Sequence, residues 1–276
     1  LVIRYPDSDI KKAVPIEDIG VVLLDHYRLT LTTTLLNKLL EYNVAVITCD
    51  AQHLPLGLFL NLNGHTLQQE HFANQIAVTQ AKKDRLWKQT IQAKIRNQAA
   101  LLEQQGIPTP NLQRWVTKVK NGDPENLEAR AASFYWKQLF STHPNFKRER
   151  FGDAPNGLLN YGYTILRGVV ARALVGSGLL PTLGIHHHNQ YNAYCLADDV
   201  MEPYRPFVDQ IVLKLVKKGV GELNSESKQA LLKIPVVDVL LNQKRSPLMV
   251  AVQQTTASLQ HCYAGTLKTL KCPEFV

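Results

Sequence analysis

Short apolar runs separated by polar breaks occupy the first 64 residues. Such runs, rich in β-branched residues, predict strands within residues 1–6, 13–25, 43–50 and 54–64. Between the second and third runs, the leucines at positions 35, 36, 39 and 40 have helical spacing. The pattern therefore predicts a small mixed unit of strands and one helix that ends near Gly64.

From about Gln68 the apolar positions recur every three to four residues, which is typical of helices. Residues 71–106 contain no Pro and no internal Gly, so they predict one long amphipathic helix with Lys and Arg on its outer face. Asp123 and Pro124 suit the N-cap and first position of another helix. Further helices are expected over residues 111–120, 125–140, 156–178, 207–219, 225–233 and 248–268.

These patterns predict an α+β fold of two domains. The first, residues 1–66, is rich in strands, and the second, residues 67–276, is larger and all-α. A length of 276 residues is enough for two hydrophobic cores.

Charge is divided unevenly between the two parts. Residues 1–75 contain five Lys or Arg and eight Asp or Glu, a net charge of −3, so the remainder of a chain with net charge +8 has +11. A basic second part favours binding to a polyanion such as nucleic acid. A basic surface without a partner is the alternative.

The four cysteines, at positions 49, 195, 262 and 272, form no CxxC pair. A zinc ribbon or disulfide framework is therefore not expected, and the reducing cytoplasm is the expected location. The sequence contains no uninterrupted apolar stretch of about 18 residues, so a membrane span is not expected. The chain begins with Leu1 rather than Met, which suggests that some natural N-terminal residues are missing.

Glu128 is out of place in its predicted helix. Its face also contains Ala131, Ala132 and Tyr135, side chains that a helix usually buries. An unpaired carboxylate there costs several kcal/mol. Glu128 therefore requires a metal ion, another cation such as a buried arginine, or a proton, and the residues alone do not choose among them.

A second unusual stretch is GIHHHNQYNAYCLADDVMEPYRP, residues 184–206. Side chains of three successive histidines diverge, so one or two of them at most can bind the same metal ion. Asp199 and Glu202 lie three residues apart on a helix predicted to begin near Asp198. One histidine with carboxylates suits Mg²⁺ or Mn²⁺ better than structural zinc; a polar surface loop is the alternative.

Three blocks of sequence resemble the signature blocks of a known family. LEARAASFYW, NGLLNYGYTILRGVVARALVGSGLLPTLGIHHHN and LADDVMEPYRPFVD are similar, in this order, to the CRISPR adaptation integrase, the larger subunit of the spacer-acquisition complex. The last two blocks are most similar to the type II branch, subtype II-C. IEDIGVVLLD and VAVITCD resemble the β domain of the same family, so the resemblance covers essentially the whole chain.

This resemblance implies a β-sandwich-like N-terminal domain that mediates dimerisation and an α-helical domain with one metal site. Carried over by position, the ligands of Mg²⁺ or Mn²⁺ are Glu128, His187 and Glu202, with Asp199 as a further candidate. His186 and His188 are left for structure or DNA contact. Asn156, Asn160 and Tyr163 match a helix that supports the site. The resemblance also implies that the first strand or strands of the β domain are absent from this sequence.

The implied reaction is attack by the 3′-hydroxyl of a short DNA duplex on a phosphodiester of the CRISPR repeat. The implied partners are double-stranded DNA (prespacer and repeat), a second copy of the chain, a small ferredoxin-like adaptation subunit and other type II adaptation proteins. Expected phosphate contacts lie on the first long helix and in one loop: Lys82, Lys83, Arg85, Lys88, Lys147, Arg148 and Arg150. For each of these residues taken alone, an ordinary surface charge is the alternative.

Two other functions remain open at this point. A metal-dependent nuclease acting on branched DNA would use the same site with water as the attacking group. A non-catalytic DNA-binding scaffold would not need the site at all.

Overall fold

A computed structural model describes residues 1–5, 9–51, 55–143, 145–150 and 152–275. The first two strands, β1 (Val2–Arg4) and β2 (Lys11–Ala13), form an antiparallel two-stranded sheet. Pro6, which belongs to the first predicted strand, lies outside the described residues.

A three-stranded sheet follows, with the strand order β3-β4-β5. β3 (Val21–Leu24) runs parallel to β4 (Ala45–Cys49), and β5 (Pro55–Phe59) is antiparallel to β4. The parallel pair is joined by α1 (Thr33–Glu41), whose N-cap Thr32 accepts a hydrogen bond from the backbone N–H of Leu35. These elements agree with the predicted strands and helix.

The long helix predicted over residues 71–106 is in fact two helices, so that prediction is wrong. α2 (Gln68–Ile76) ends before residues 77–79, and α3 (Gln80–Gln104) begins after them. The break falls where Thr79 adopts an extended backbone, with ψ of 152°. Apolar spacing alone does not detect it, because the periodicity continues across the break.

The helix expected from Asp123 and Pro124 begins later than predicted. After α4 (Pro110–Lys118), α5 spans Leu127–Leu139, and its N-cap is Asn126 in the left-handed region. Asp123 still caps the helix from outside, because its carboxylate accepts hydrogen bonds from the backbone N–H groups of Leu127 and Glu128. Asp123 therefore caps the helix through its side chain, although it is not the N-cap residue.

The centre of the molecule is α6 (Asn156–Gly176), which is buried along most of its length. α7 (Cys195–Met201), a 3₁₀ helix (Glu202–Tyr204) and α8 (Arg205–Lys217) then follow almost without interruption. Pro203 and Pro206 do not interrupt this run of helices. Each proline stands in the first turn of its helix, where no backbone N–H is needed.

The remaining elements are α9 (Ser225–Leu231), the hairpin of β6 (Asp238–Leu241) and β7 (Lys244–Pro247), and α10 (Leu248–Ala264). The hairpin contradicts the all-α prediction for residues 67–276. Its two turn residues, at positions 242 and 243, both have positive φ. This backbone matches the right-handed twist of a tight hairpin.

The N-terminal sheet packs on the central helix. A Cβ placed on Gly168 of α6 would lie 2.7 Å from Cδ1 of Ile47 in β4, so helix and sheet approach closely at this point. The fold is thus α+β, as predicted, while the division into domains 1–66 and 67–276 stays a prediction. In the part of the chain that the structure describes, no helix is long and apolar enough to cross a membrane.

Candidate active site

Glu128 lies in the first turn of α5, where the helix start fixes its position. Asp123 and Asn126 hold the first backbone N–H groups of α5. The Glu128 carboxylate reaches Lys94 of α3, with Oε1 2.7 Å from Nζ. The cation that the sequence required for Glu128 is therefore, in this structure, a lysine of the chain itself.

Glu202 is the buried member of the site, with 4% of its surface exposed. Its Oε2 lies 2.6 Å from Nζ of Lys94, and its Oε1 lies 2.9 Å from Nε of Arg205. Burial opposes ionisation of Glu202, but Arg205 and Lys94 outweigh it and hold the pKa at about 2. Glu202 is therefore a carboxylate at neutral pH.

Lys94 carries its charge in the interior, where it is 8% exposed. Burial lowers the pKa of the ammonium, but Glu202 and Glu128 overcome this and raise it above the usual value. The sequence pattern placed the Lys and Arg residues of this helix on its outer face. For Lys94 that interpretation is wrong, because it points inward toward the two carboxylates.

Asp199 organises the histidine loop from a fully buried position. Its Oδ2 accepts hydrogen bonds from the backbone N–H groups of Ile185 (2.6 Å) and His186 (2.9 Å). Its Oδ1 accepts from the backbone N–H of His187 (3.3 Å) and lies 2.5 Å from Nδ1 of the same residue. The hydrogen bond with Asp199 raises the pKa of His187. Both oxygens of Asp199 are thus engaged in holding the loop.

The three histidines diverge, as expected. The ring of His186 stacks on Trp87 with a centroid distance of 4.3 Å, and His187 meets the same indole edge-on at 5.7 Å. His188 contacts His186 edge-on. Trp87 is almost fully buried, and the histidine loop packs against its indole ring.

Gly184 gives the loop room to turn under Asp199. A Cβ at this position would lie 2.2 Å from the backbone oxygen of His187 and 2.9 Å from Oδ2 of Asp199. The backbone oxygen cannot move aside without opening the loop. Glycine is therefore required here by close approach.

A cavity of about 220 Å³ is lined by Glu202 and by Lys94. At one side, the guanidinium groups of Arg148 and Arg205 lie 5.2 Å and 4.7 Å from the centre of the Tyr163 ring. The hydroxyl of Tyr163 donates to buried Asp209 at 2.5 Å, and Tyr135 donates to the same carboxylate at 2.8 Å. The residues that line the cavity are Lys94, Gln98, Ala132, Trp136, Arg148, Tyr163, Glu202, Arg205 and Asp209.

The donor set has the chemistry of a site for a hard divalent cation. Glu128 and Glu202 already share one cation, and Oε2 of Glu202 is buried without a hydrogen bond, since its contact with Lys94 lacks hydrogen-bond geometry. With Nδ1 of His187 held by Asp199, Nε2 is the ring nitrogen left to bind a metal. Glu128, Glu202 and His187 do not meet at one point in this structure. Among the described residues, no three His, Cys, Asp or Glu side chains are grouped closely enough to hold an ion.

The expected phosphate contacts lie in two places. On α3, Arg85 is exposed, Lys83 and Lys88 are half-buried, and Lys82 donates to the backbone oxygen of Tyr263. In the loop before α6, Lys147 and Arg150 are exposed. Arg148 instead donates to Oδ1 of Asn156 and of Asn160, so it anchors the loop to α6. The supporting role expected of these two asparagines at the site stays a prediction.

Sequence reasoning did not identify Lys94, Arg205 or Trp87. One signal was available for Lys94, because Ile91 and Ile95 flank it on the apolar side of α3. The partners of Arg205 and Trp87 come from distant parts of the chain, which local patterns do not reveal.

Comparison with known proteins agrees with the family resemblance. Residues 1–243 match the sequence profile of the family "CRISPR associated protein Cas1". The chain is 34% identical over 271 residues to the CRISPR-associated endonuclease Cas1 of Neisseria meningitidis serogroup C (strain 8013), covering 95% of this chain and 87% of the relative. It is 27% identical to the CRISPR-associated endonuclease Cas1 2 of Pyrobaculum aerophilum, covering 75% of each chain.

Solved structures show the same fold. A CAS1 protein from Thermotoga maritima aligns with a TM-score of 0.74 at 17% identity, covering 96% of this chain and 94% of that one. A casposase bound to its integration product aligns with a TM-score of 0.64 at 20% identity, covering 97% and 89%. Sequence and fold thus define the class as the CRISPR-associated endonucleases. The chain belongs to the Cas1 family.

Proposed function

We propose that this chain is a metal-dependent DNA integrase that inserts short DNA fragments into a CRISPR array. The reaction is attack by a 3′-hydroxyl on a phosphodiester of the repeat, with Mg²⁺ or Mn²⁺ held by Glu128, His187 and Glu202. The observation that carries the proposal is the meeting of two carboxylates, from the start of α5 and from the turn between α7 and α8, at one cation. The Neisseria relative, at 34% identity, is named an endonuclease.

The residues of the chain have separate tasks in this reaction. A bound divalent ion lowers the pKa of the attacking hydroxyl and neutralises charge on the phosphate. Glu128 and Glu202 hold the cation position, and Asp199 fixes the ring of His187 so that Nε2 is the nitrogen available. Asp199 is a positioning residue in this scheme, because both of its oxygens are occupied by the loop. None of these side chains needs to form a covalent bond to DNA.

We propose that the DNA substrate is bound through phosphates, largely without sequence reading. Lys82, Lys83, Arg85 and Lys88 on α3 and the loop of Lys147, Arg148 and Arg150 are the proposed contacts. Basic side chains release counterions from DNA and so favour binding to the backbone. The casposase that shares this fold was solved with an integration product bound.

The proposed partners are a second copy of the chain and a small ferredoxin-like subunit, with other type II adaptation proteins in the complete system. Joining at two repeat ends needs two active sites at a fixed separation, which a symmetric oligomer supplies. An exposed apolar surface near β1 favours dimerisation. It consists of the side chains of Val2 and Ile3 in β1 and of nearby Ile10. Another structure with this fold, at 21% identity and a TM-score of 0.69, is that of a Cas6-RT-Cas1–Cas2 complex.

The test is a strand-transfer assay. A labelled duplex with free 3′-hydroxyl ends and a plasmid carrying the repeat are incubated with the protein, the small subunit and Mn²⁺. We expect label joined to the plasmid by the parent and by Glu125→Gln, and at least 100-fold less by Glu128→Gln. Glu125 is a matched control, since it lies three residues earlier and pairs with Lys120 at the surface.

Two outcomes would contradict the proposal. Plasmid nicking without joined label would indicate a hydrolytic nuclease. Joining that survives Glu128→Gln would remove Glu128 from the chemistry and favour a scaffold role for this site.

A further inference from the structure

Lys94 lies between two of the three proposed metal ligands, Glu128 and Glu202. It extends from the middle of α3 between Ile91 and Ile95, both completely buried. Its Nζ lies 2.7 Å from Oε1 of Glu128 and 2.6 Å from Oε2 of Glu202. A single ammonium therefore joins two carboxylates that belong to different helices.

The same position cannot hold a second cation. Glu202 is already neutralised on its other oxygen by Arg205, at 2.9 Å. A divalent ion between Glu128 and Glu202 would stand in contact with the Lys94 ammonium in a buried site, where repulsion between cations is strong. Binding of the ion therefore requires that Lys94 leave.

The structure offers Lys94 another acceptor. Gln98 lies one helical turn further along α3, so its side chain is a neighbour of Lys94 on the same face. Its Oε1 is buried and has no hydrogen-bond partner. Lys94 and Gln98 both line the 220 Å³ cavity beside Glu202, so the ammonium has space to move toward Gln98. A buried acceptor without a partner is costly, and a displaced lysine would satisfy it.

We propose that Lys94 is a placeholder cation: it holds Glu128 and Glu202 together in the metal-free protein, and a divalent ion displaces it toward Oε1 of Gln98. This inference rests on the proposed metal site. It adds that metal binding competes with an internal ion pair. The ion pair keeps the carboxylates from repelling each other before the metal arrives, and it lowers the apparent affinity for the metal.

Mn²⁺ binding to the protein, measured by isothermal titration calorimetry, tests this competition. We expect Lys94→Met to bind Mn²⁺ at least tenfold more tightly than the parent, because the competing cation is gone. Its thermal midpoint in EDTA should be lower than that of the parent, and the rise on adding Mn²⁺ should be larger. Lys137→Met is the control, since it removes the same charge from an exposed position on α5 and should leave both quantities unchanged.

Gln98→Leu tests the second half of the inference and does not depend on the folding of Lys94→Met. Without this acceptor, the displaced ammonium loses the unpaired oxygen that α3 offers it, so Mn²⁺ binding should weaken at least threefold. Lys94→Met binding Mn²⁺ no more tightly than the parent, or Gln98→Leu binding it equally well, would overturn the placeholder role.

Glu128→Gln separates this failure from failure of the metal site. If Glu128→Gln loses Mn²⁺ binding while Lys94→Met matches the parent, the metal site stands and the competition does not. If Glu128→Gln binds Mn²⁺ as the parent does, the metal site itself is wrong and the placeholder role falls with it.

Discussion

Asp199→Asn isolates the group that shapes the histidine loop. The carboxylate accepts two hydrogen bonds on Oδ2, from the backbone of Ile185 and His186. It accepts two more on Oδ1, from the backbone and the ring of His187. Asparagine has one acceptor oxygen, and while Nδ1 of His187 carries its proton the NH₂ group would face two N–H donors whichever way the amide is turned.

The cost follows from this count. At least two of four hydrogen bonds to a fully buried charged group are lost, each worth about 1.5–3 kcal/mol. Relaxation of the loop recovers part of the loss, so we expect destabilisation of about 3 kcal/mol. For a chain of this size that corresponds to a fall of roughly 6–12 °C in the thermal midpoint.

Circular dichroism melting of the parent, Asp199→Asn and Asp238→Asn measures the effect. Asp238 is a matched control, because its ion pair with Arg245 is at the surface and is worth less than about 1 kcal/mol. NMR titration of His187 gives a second readout, since the hydrogen bond with Asp199 raises its pKa and the variant should lower it. A midpoint within 2 °C of the parent, together with an unchanged pKa of His187, would refute the reasoning.

Two further predictions concern neighbouring features. Gly184→Ala should destabilise the protein and abolish strand transfer, because its Cβ would collide with the backbone oxygen of His187. A Cβ at Gly157 meets no other part of the protein within 4 Å, so Gly157→Ala should be neutral or stabilising in the same melting experiment. Burial raises the pKa of Asp209 to about 6, so the folded state holds its proton more tightly than the unfolded state does. The thermal midpoint of the parent minus that of Asp209→Asn should therefore be larger at pH 5 than at pH 8. A difference that is constant, or that rises with pH, would contradict this assignment. Equal midpoints for Gly184→Ala and Gly157→Ala would contradict the glycine prediction.

Local sequence patterns were sufficient to predict the elements that interactions between neighbouring residues determine. α1 follows from leucine spacing, and the face of α5 showed that Glu128 requires a cation. The identity of that cation was not predictable, because Lys94 lies 34 residues away in the chain. The residues alone left a metal ion and a buried ion pair open, and the ion pair is the arrangement in this structure.

Features set by long-range contacts or by unusual backbone conformations were missed. The β6–β7 hairpin depends on two residues with positive φ, at positions 242 and 243, neither of which is glycine. The histidine loop is fixed by Asp199, which acts from 12 to 14 residues further along. The sequence showed three histidines and nearby acids, but the division of labour between Asp199 and Glu202 required their three-dimensional partners.

The proposed metal site requires that Glu128, His187 and Glu202 bind one divalent ion. Diffraction from crystals of the protein soaked in Mn²⁺, recorded at a wavelength where manganese scatters anomalously, tests this most directly. We predict a single strong anomalous peak within bonding distance of both carboxylates and of Nε2 of His187, with Asp199 still bound to the loop. A peak that touches none of these three side chains, or the same peak in crystals of Glu128→Gln, would contradict it.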